Sequence, residues 1–72
     1  MPYVNIKITK EGGPDNIGAT VDEKKQLIDG VTGLLQNVLN KDPATTFVVI
    51  DEVSLDDWGI KGKSVRALRE GK

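Results

Sequence analysis

The sequence predicts a small α/β (α+β) fold, in which one βαβ unit with parallel strands is followed by a C-terminal hairpin. Three segments carry this prediction: an alternating segment at 3–9, an amphipathic segment at 20–40 and a β-branched segment at 45–50. A strand, a long helix and a strand in this order give parallel strands joined by a right-handed crossover. Because the chain has only 72 residues, we expect a single domain over 1–72.

The first strand is expected at Tyr3–Thr9. Val4, Ile6 and Ile8 recur with the period of two that a half-buried strand shows, so they share one face. The next segment, residues 10–19, is rich in turn formers and has no periodicity, which is typical of a loop. The opposite face of the strand carries Tyr3, Asn5, Lys7 and Thr9.

The long helix is expected to begin at Thr20 and to end before Pro43. Thr20 and Glu23 fit a capping box, and a proline disfavours helical geometry in the residue before it. Gly30 and Gly33 are unfavourable inside a helix. They are either tolerated surface residues or positions where a neighbouring backbone approaches closely, and we favour the second interpretation. The apolar stripe consists of Leu27, Ile28, Val31, Leu34, Leu35, Val38 and Leu39.

The second strand is expected at Thr45–Ile50. Its side chains are apolar on both faces, which is typical of a strand in a covered sheet. One helix covers only one face of a two-stranded sheet, and two strands alone are not stable. We therefore expect the uncovered face to meet another subunit, so that the chain forms a homo-oligomer.

The composition excludes several classes of site. The chain has no cysteine and no histidine, so disulfides, the usual zinc ligands and Ser-His or Cys-His nucleophile pairs are absent. A net charge of -1 argues against nucleic acid as the main partner. No apolar run approaches the ~18 residues of a membrane span, and the N-terminus has no signal-peptide pattern. We expect a cytosolic protein without membrane partners.

The Met-Pro start has two interpretations. Pro2 is a harmless first residue for an edge strand, where no ladder hydrogen bond is needed. Alternatively, removal of Met1 makes the Pro2 nitrogen a free secondary amine. An α-amine has a pKa of about 7.7–8.0 in model peptides, and desolvation or nearby cations lower the pKa of an amine. Such an amine would suit a general base.

Four stretches of the chain together point to one family: MPYVNIKIT, DEKKQLIDGVTGLL, VVIDEV and WGIKG. They resemble the 4-oxalocrotonate tautomerase family, in particular its small members with an extended loop before the helix. The resemblance covers most of the chain. It implies the tautomerase fold, a βαβ unit with a C-terminal hairpin, in which sheets pair between subunits. It also implies assembly as a dimer or, commonly, as a hexamer.

The resemblance implies that Pro2, as the amino-terminal residue, is the catalytic base. Trp58 falls where the family places an aromatic residue in the pocket wall, and Ile60 and Gly62 continue the same motif. In this family the base takes a proton from a dienol hydroxyl or an acidic carbon and returns it elsewhere on the conjugated system. The expected product is an isomeric 2-oxo acid.

Two arginines of the best-known members are missing here. The loop after the first strand offers Lys10, and Phe47 stands early in the second strand. Lysine does not replace the bidentate carboxylate binding of arginine, so a dicarboxylate substrate is not implied. Lys10, Lys61 or Arg69 supplies the anion contact, or all three are solvated surface residues. The substrate-binding candidates are Trp58, Phe47, Ile60, Lys10 and Arg69.

These features together predict an isomerase that moves a proton within an enol or 2-oxo acid. No metal and no organic cofactor is expected, and the expected partners are a small-molecule substrate and further copies of the chain. One alternative is a proline-dependent hydratase-type reaction on an unsaturated acid. Another is a non-catalytic oligomer that binds small molecules, since a fold does not fix a function. The natural substrate, and dimer versus hexamer, stay open.

Overall fold

The computed structural model describes residues 1–11 and 18–71. Within these residues, strand β1 pairs with strand β2 and strand β3 pairs with strand β4. Two short 3-10 turns, Pro43–Thr45 and Leu55–Asp57, precede β2 and β3. The elements are β1 (Tyr3–Thr9), α1 (Val21–Leu39), β2 (Phe47–Val53), β3 (Gly59–Ile60), β4 (Lys63–Ser64) and α2 (Val65–Arg69). The predicted βαβ unit and C-terminal hairpin are confirmed.

Strands β1 and β2 are parallel, and backbone hydrogen bonds mark both ends of their pairing. The Phe47 N–H donates to the Pro2 carbonyl oxygen at 3.0 Å, and the Lys10 N–H donates to the Val53 carbonyl oxygen at 2.8 Å. Parallel strands need the long crossover that the intervening helix supplies. The predicted bounds of β1 are confirmed.

The predicted bounds of the second strand are wrong at both ends. The expected start, Thr45, lies in a 3-10 turn, because the Asp42 side chain accepts a hydrogen bond from the Ala44 N–H at 2.9 Å. Pro43 at the first position of this turn supplies a suitable backbone geometry. The strand begins at Phe47 and continues past the expected end to Val53, so that two acidic residues belong to it.

Helix α1 begins and ends as the sequence predicts. The Glu23 N–H donates to the Thr20 hydroxyl at 3.1 Å, and the Thr20 N–H donates to the Glu23 carboxylate at 2.8 Å, which completes the capping box. At the other end, Asn40 adopts a left-handed conformation with φ of 57° and donates its N–H to the Gln36 carbonyl oxygen. An asparagine in this conformation is a common helix stop.

The two glycines of α1 have no close neighbour in the described part of the chain. A Cβ atom added at Gly30 or Gly33 would meet nothing within 4 Å. The favoured interpretation, close approach of a neighbouring backbone, is therefore wrong for contacts among the described residues. The predicted loop at 10–19 lies mostly outside them, at 12–17.

The chain forms two compact units. The first combines Met1–Ile6 with Thr20–Asp51. The second combines Lys7–Ala19 with Glu52–Lys72, of which 7–11, 18–19 and 52–71 are described. One domain over 1–72 stays a prediction.

Apolar side chains are exposed on the first unit. Tyr3 and Phe47 are 64% and 55% exposed, and no residue of α1 is buried. In the second unit, Leu55 is only 4% exposed and forms the buried core. The predicted apolar stripe of α1 thus lies largely in solvent in a single chain.

No helix in the described ranges combines the length and apolar character that crossing a bilayer requires. Across residues 1–11 and 18–71, no group of three or more acidic, histidine or cysteine side chains lies together in a way that could hold a metal ion. The cytosolic location and the independence from cofactors both stay predictions.

Candidate active site

Pro2 enters the sheet through its carbonyl oxygen and not through its nitrogen. The Phe47 N–H donates to that oxygen at 3.0 Å, and strand β1 begins at the next residue, Tyr3. Pro2 itself is partly exposed, and Met1 before it is 85% exposed. The Pro2 nitrogen is a non-basic amide while Met1 is attached, and becomes a secondary amine once Met1 is removed.

Phe47 is the first residue of β2, in the first unit, and its side chain is exposed. On the same unit, the Asn5 side-chain amide donates to an Asp51 carboxylate oxygen at 2.8 Å. It also lies 3.4 Å from the Val49 carbonyl oxygen. The Asn5 side chain of β1 therefore contacts β2 at two residues, of which Asp51 lies beyond the predicted end of that strand.

An open cavity of about 330 Å³ lies in the second unit. Trp58 and Val53 supply apolar surface, while Lys7 and Asp57 bring one positive and one negative charge. A cavity of this size accepts a small ligand, and the mixture of apolar wall and few charged groups is typical of ligand sites. Its lining consists of Lys7, Val53, Asp57, Trp58 and Gly59.

Local hydrogen bonds fix the backbone around Trp58. The Ser54 hydroxyl accepts from the Asp56 N–H at 3.2 Å and begins the 3-10 turn that leads into Trp58. The Val65 N–H donates to the Trp58 carbonyl oxygen at 2.8 Å. The backbone of Trp58 is therefore fixed by the 3-10 turn that precedes it and by the first residue of α2, which follows the hairpin.

The hairpin itself has a two-residue turn. Gly59 pairs with Ser64 and Ile60 pairs with Lys63, which leaves Lys61 and Gly62 at the tip. Both have positive φ, 58° for Lys61 and 79° for Gly62. Two successive positive φ angles are the requirement of a type I′ turn, and glycine adopts them without steric cost.

Residues 2–68 match the family model described as Tautomerase enzyme. The chain belongs to the tautomerase family. Over 70 residues it is 56% identical to a probable tautomerase of Dickeya dadantii, covering 97% of this chain and 96% of that protein. It is 46% identical over 70 residues to a probable tautomerase of Helicobacter pylori, covering 97% of both. The resemblance inferred from the sequence is thus confirmed.

Solved structures agree with this family assignment. The crystal structure of DmpI from Helicobacter pylori superposes with a TM-score of 0.81 at 45% identity, covering 96% of this chain and 97% of that one. A 4-oxalocrotonate tautomerase isozyme of Methylibium petroleiphilum gives a TM-score of 0.75 at 28% identity, covering 93% and 97% of the two chains. The tautomerase fold expected from the sequence is confirmed.

Four of the five substrate-binding candidates of this tautomerase family member lie outside the cavity lining. Among the described residues, Lys10, Phe47, Ile60 and Arg69 do not line the cavity at Trp58. Lys10 and Arg69 are exposed, and Ile60 is an exposed residue of the hairpin. Their contacts with substrate stay predictions, as does the role of Phe47.

Sequence reasoning missed three of the residues that line the cavity. Lys7 lies on the polar face of β1, a position normally taken by solvated side chains. Val53 falls beyond the predicted end of the second strand, and Asp57 precedes the WGIKG segment without being a substrate-binding candidate. No signal in the sequence marks Lys7, because it resembles any other polar residue on the outer face of a strand.

A cluster of three charged side chains stands in the same unit. Arg66 donates from Nε to an Asp56 carboxylate oxygen at 2.6 Å and from Nη2 to Glu11 Oε1 at 3.0 Å. Glu11 Oε1 also lies 3.3 Å from the Leu55 backbone nitrogen, which donates to it. The hydrogen bond with Asp56, aided by the negative charges of Asp56 and Glu11, raises the pKa of the Arg66 guanidinium above its ordinary value.

Proposed function

We propose that this tautomerase family member is an isomerase that moves a proton within an enol or 2-oxo acid, with the Pro2 amine as general base. The observation that carries the proposal is that the match to the tautomerase family begins at Pro2 itself. Relatives named probable tautomerases support an isomerase activity, without specifying the base or the substrate. The exposed Met1 and the Pro2 nitrogen that makes no sheet hydrogen bond are compatible with this role.

The proposed reaction balances without a cofactor. The Pro2 amine takes the proton of the enol hydroxyl. The electron pair of the broken O–H bond forms the C=O bond of the 2-oxo group, the C=C pair moves onto carbon, and the protonated amine gives its proton to that carbon. The amine returns to its starting state, so the net change is an isomerisation. A base works best when its pKa lies near the operating pH, which an α-amine satisfies.

We propose further that the cavity at Trp58 holds the carboxylate end of the substrate. Lys7 supplies the positive charge there, in place of the family's missing arginines, and Trp58 supplies an apolar wall that lowers the local dielectric. The charge of Asp57 disfavours a second carboxylate in the same cavity. The favoured substrate is accordingly a 2-oxo acid with one carboxylate.

Homo-oligomerisation belongs to the same proposal. Tyr3 and Phe47, with Leu34, Val38 and Leu39 of α1, are large apolar side chains that are more than half exposed in the single chain, and assembly would remove such side chains from water. Copies of the chain are the proposed cover for this surface. Light scattering after size-exclusion chromatography would decide between monomer, dimer and hexamer.

The test of the base combines an intact mass with kinetics. We expect the intact mass of active protein to lack Met1. We expect Pro2→Ala to lower turnover of an aryl or alkyl enol-pyruvate by roughly 10²-fold, which is within the range of general base catalysis. Pro43→Ala is the matched control, since it removes a proline from the 3-10 turn and leaves the N-terminus unchanged. Active protein that retains Met1, or full turnover by Pro2→Ala, would place the base elsewhere.

A further inference from the structure

We infer that Arg66 is a positioning residue, which sets the place of Trp58 in the cavity wall by tying together three separate segments. This inference rests on the proposal that the cavity binds substrate. No role for Arg66 follows from the sequence pattern, because the cation belongs to a basic stretch that resembles solvated surface. Its contacts in the folded chain are specific, however.

The guanidinium of Arg66 uses two different edges for two different partners. Nε donates to Asp56 at 2.6 Å, and Nη2 donates to Glu11 at 3.0 Å. Glu11 follows β1, Asp56 lies in the 3-10 turn before Trp58, and Arg66 is the second residue of α2. A planar fork with fixed donor directions holds two carboxylates at a set angle, which an ammonium group cannot do.

Together with the backbone, these contacts close a ring of residues that contains Trp58. On one side, Asp56 precedes Trp58 by two residues and is bound by the Arg66 side chain. On the other side, the N–H of Val65, the residue before Arg66, donates to the Trp58 carbonyl oxygen. One backbone hydrogen bond and one side-chain ion pair therefore restrict the backbone that carries the indole of Trp58.

The Glu11 contact connects this ring to the buried core of the unit. Glu11 Oε1 accepts from both Arg66 Nη2 and the N–H of Leu55, at 3.0 Å and 3.3 Å. Leu55 is the buried side chain of this unit. A carboxylate oxygen shared by two donors couples their positions, so Arg66 is held relative to Leu55 as well as to Asp56.

The exposure of the ion pairs decides which property they influence. The Arg66 side chain is 37% exposed and that of Asp56 is 64% exposed. Ion pairs this accessible contribute little to the free energy of unfolding, because solvent screens them. Strands β3 and β4 and helix α2 are too short to be rigid alone. The same ion pairs therefore still restrict the positions of these elements relative to Trp58. We therefore expect a local change at Trp58 and not a loss of fold.

Fluorescence measures this directly, because Trp58 is the only tryptophan of the chain. For Arg66→Met we expect the emission of Trp58 to shift to longer wavelength and its acrylamide quenching constant to rise. Lys25→Met is the matched control: it removes one exposed cation of α1, which belongs to the other unit, and should leave both unchanged. This readout requires no turnover, so it separates failure of the positioning role from failure of the proposed activity.

Kinetics and a rescue variant complete the test. Arg66→Met should raise KM by roughly 3- to 10-fold with a smaller change in kcat, as expected when ground-state and transition-state binding are lost together. Arg66→Lys keeps the charge but not the fork, so it should restore only part of the emission and of KM. Full restoration by lysine would show that charge alone matters and would overturn the positioning role.

Asp56→Asn serves as a second variant, which loosens the ring without changing Arg66. It should reproduce the emission shift in the same direction, and combining it with Arg66→Met should add less than the sum of the two single effects. If Arg66→Met fails to fold, Asp56→Asn carries the test. The inference would be overturned if a folded Arg66→Met or Asp56→Asn variant had the same Trp58 emission and the same KM as the unsubstituted protein.

Discussion

The backbone amide of Val65 donates to the carbonyl oxygen of Trp58 at 2.8 Å, which fastens the start of α2 to the aromatic residue of the cavity. Strands β3 and β4 have two residues each, and α2 has five. Elements of this length are not stable in isolation. The cavity wall therefore depends on a few local bonds, and substitutions within this unit should change binding before they change folding.

Trp58→Ala is expected to lower kcat/KM by roughly 10- to 100-fold, because it removes the apolar wall and admits water to the cavity. Trp58→Phe keeps an aromatic surface and should stay within about threefold of the unsubstituted enzyme. Steady-state kinetics on an aryl enol-pyruvate measures both, with circular dichroism as the check on folding. Equal rates for alanine and phenylalanine would contradict a role for the aromatic wall.

Lys7→Met should raise KM for 2-oxo acids with one carboxylate by roughly 10-fold, the loss expected for a charge-assisted contact of about 1.5 kcal/mol. The same change should leave activity on an uncharged enol, such as an ester analogue, almost unaltered. Lys25→Met is the control for a general loss of positive charge. An equal effect on acid and ester would show that Lys7 does not bind the carboxylate.

Asp57→Asn tests the proposed discrimination between substrates. Removing this negative charge should improve kcat/KM for a dicarboxylate more than for a monocarboxylate, since a dicarboxylate brings a second negative charge close to Asp57. The ratio of the two kcat/KM values is the quantity to compare before and after the substitution. A ratio that does not change would remove Asp57 from the specificity of the cavity.

Gly18 and Gly30 should respond to alanine in opposite directions. A Cβ at Gly18 would overlap the Lys10 carbonyl oxygen and lie 2.8 Å from a Glu52 carboxylate oxygen, so Gly18→Ala should lower the free energy of unfolding by about 1–3 kcal/mol. Gly30→Ala meets no atom within 4 Å and should raise it by about 0.5–1 kcal/mol. Urea denaturation measures both. A destabilising Gly30→Ala would instead indicate that another copy of the chain lies against that part of α1.

Much of the fold was predictable because its signals are local. The strand β1 and the capping box of α1 depend on residues a few positions apart, and the bounds of β1 and the capping box are confirmed. The start of β2 was not predictable in the same way. Thr45 has a high strand propensity, but the Asp42 side chain stabilises a 3-10 turn that takes this residue out of the strand.

The candidate site was predictable only where a sequence motif marks it. Trp58 stands out as the sole tryptophan within a Gly-Ile-x-Gly segment. Lys7 carries no such mark, because a polar residue on the outer face of a strand is ordinary. Its place in the same cavity depends on how β1 and β2 pair, which brings together residues that lie far apart in the chain. Non-local contacts of this kind leave no pattern in one sequence.

Thr20→Ala should lower the free energy of unfolding by about 1 kcal/mol, because it removes the hydroxyl that caps the Glu23 N–H. Thr32→Ala is the matched control inside the same helix. Its hydroxyl bonds back to the Ile28 carbonyl oxygen at 2.7 Å, and alanine has the higher helix propensity, so that variant should be neutral or stabilising. Chemical denaturation of both variants gives the comparison, and equal losses would show that the cap is not the cause.

The dependence of kcat/KM on pH tests the protonation state that Pro2 needs. A general base is active when deprotonated, so kcat/KM should rise with pH, roughly tenfold per pH unit, until the amine has lost its proton at a pKa near or below the ordinary α-amine range of about 7.7–8.0. A hydratase-type reaction would use the protonated amine as an acid, and its kcat/KM would fall over the same range. Kinetics from about pH 5 to pH 9 in buffers of constant ionic strength distinguish the two signs. The control is Pro43→Ala, which should leave the pH profile unchanged. If kcat/KM of the unsubstituted enzyme instead fell as the pH rose over this range, Pro2 would be excluded as the base and its action as an acid would be favoured.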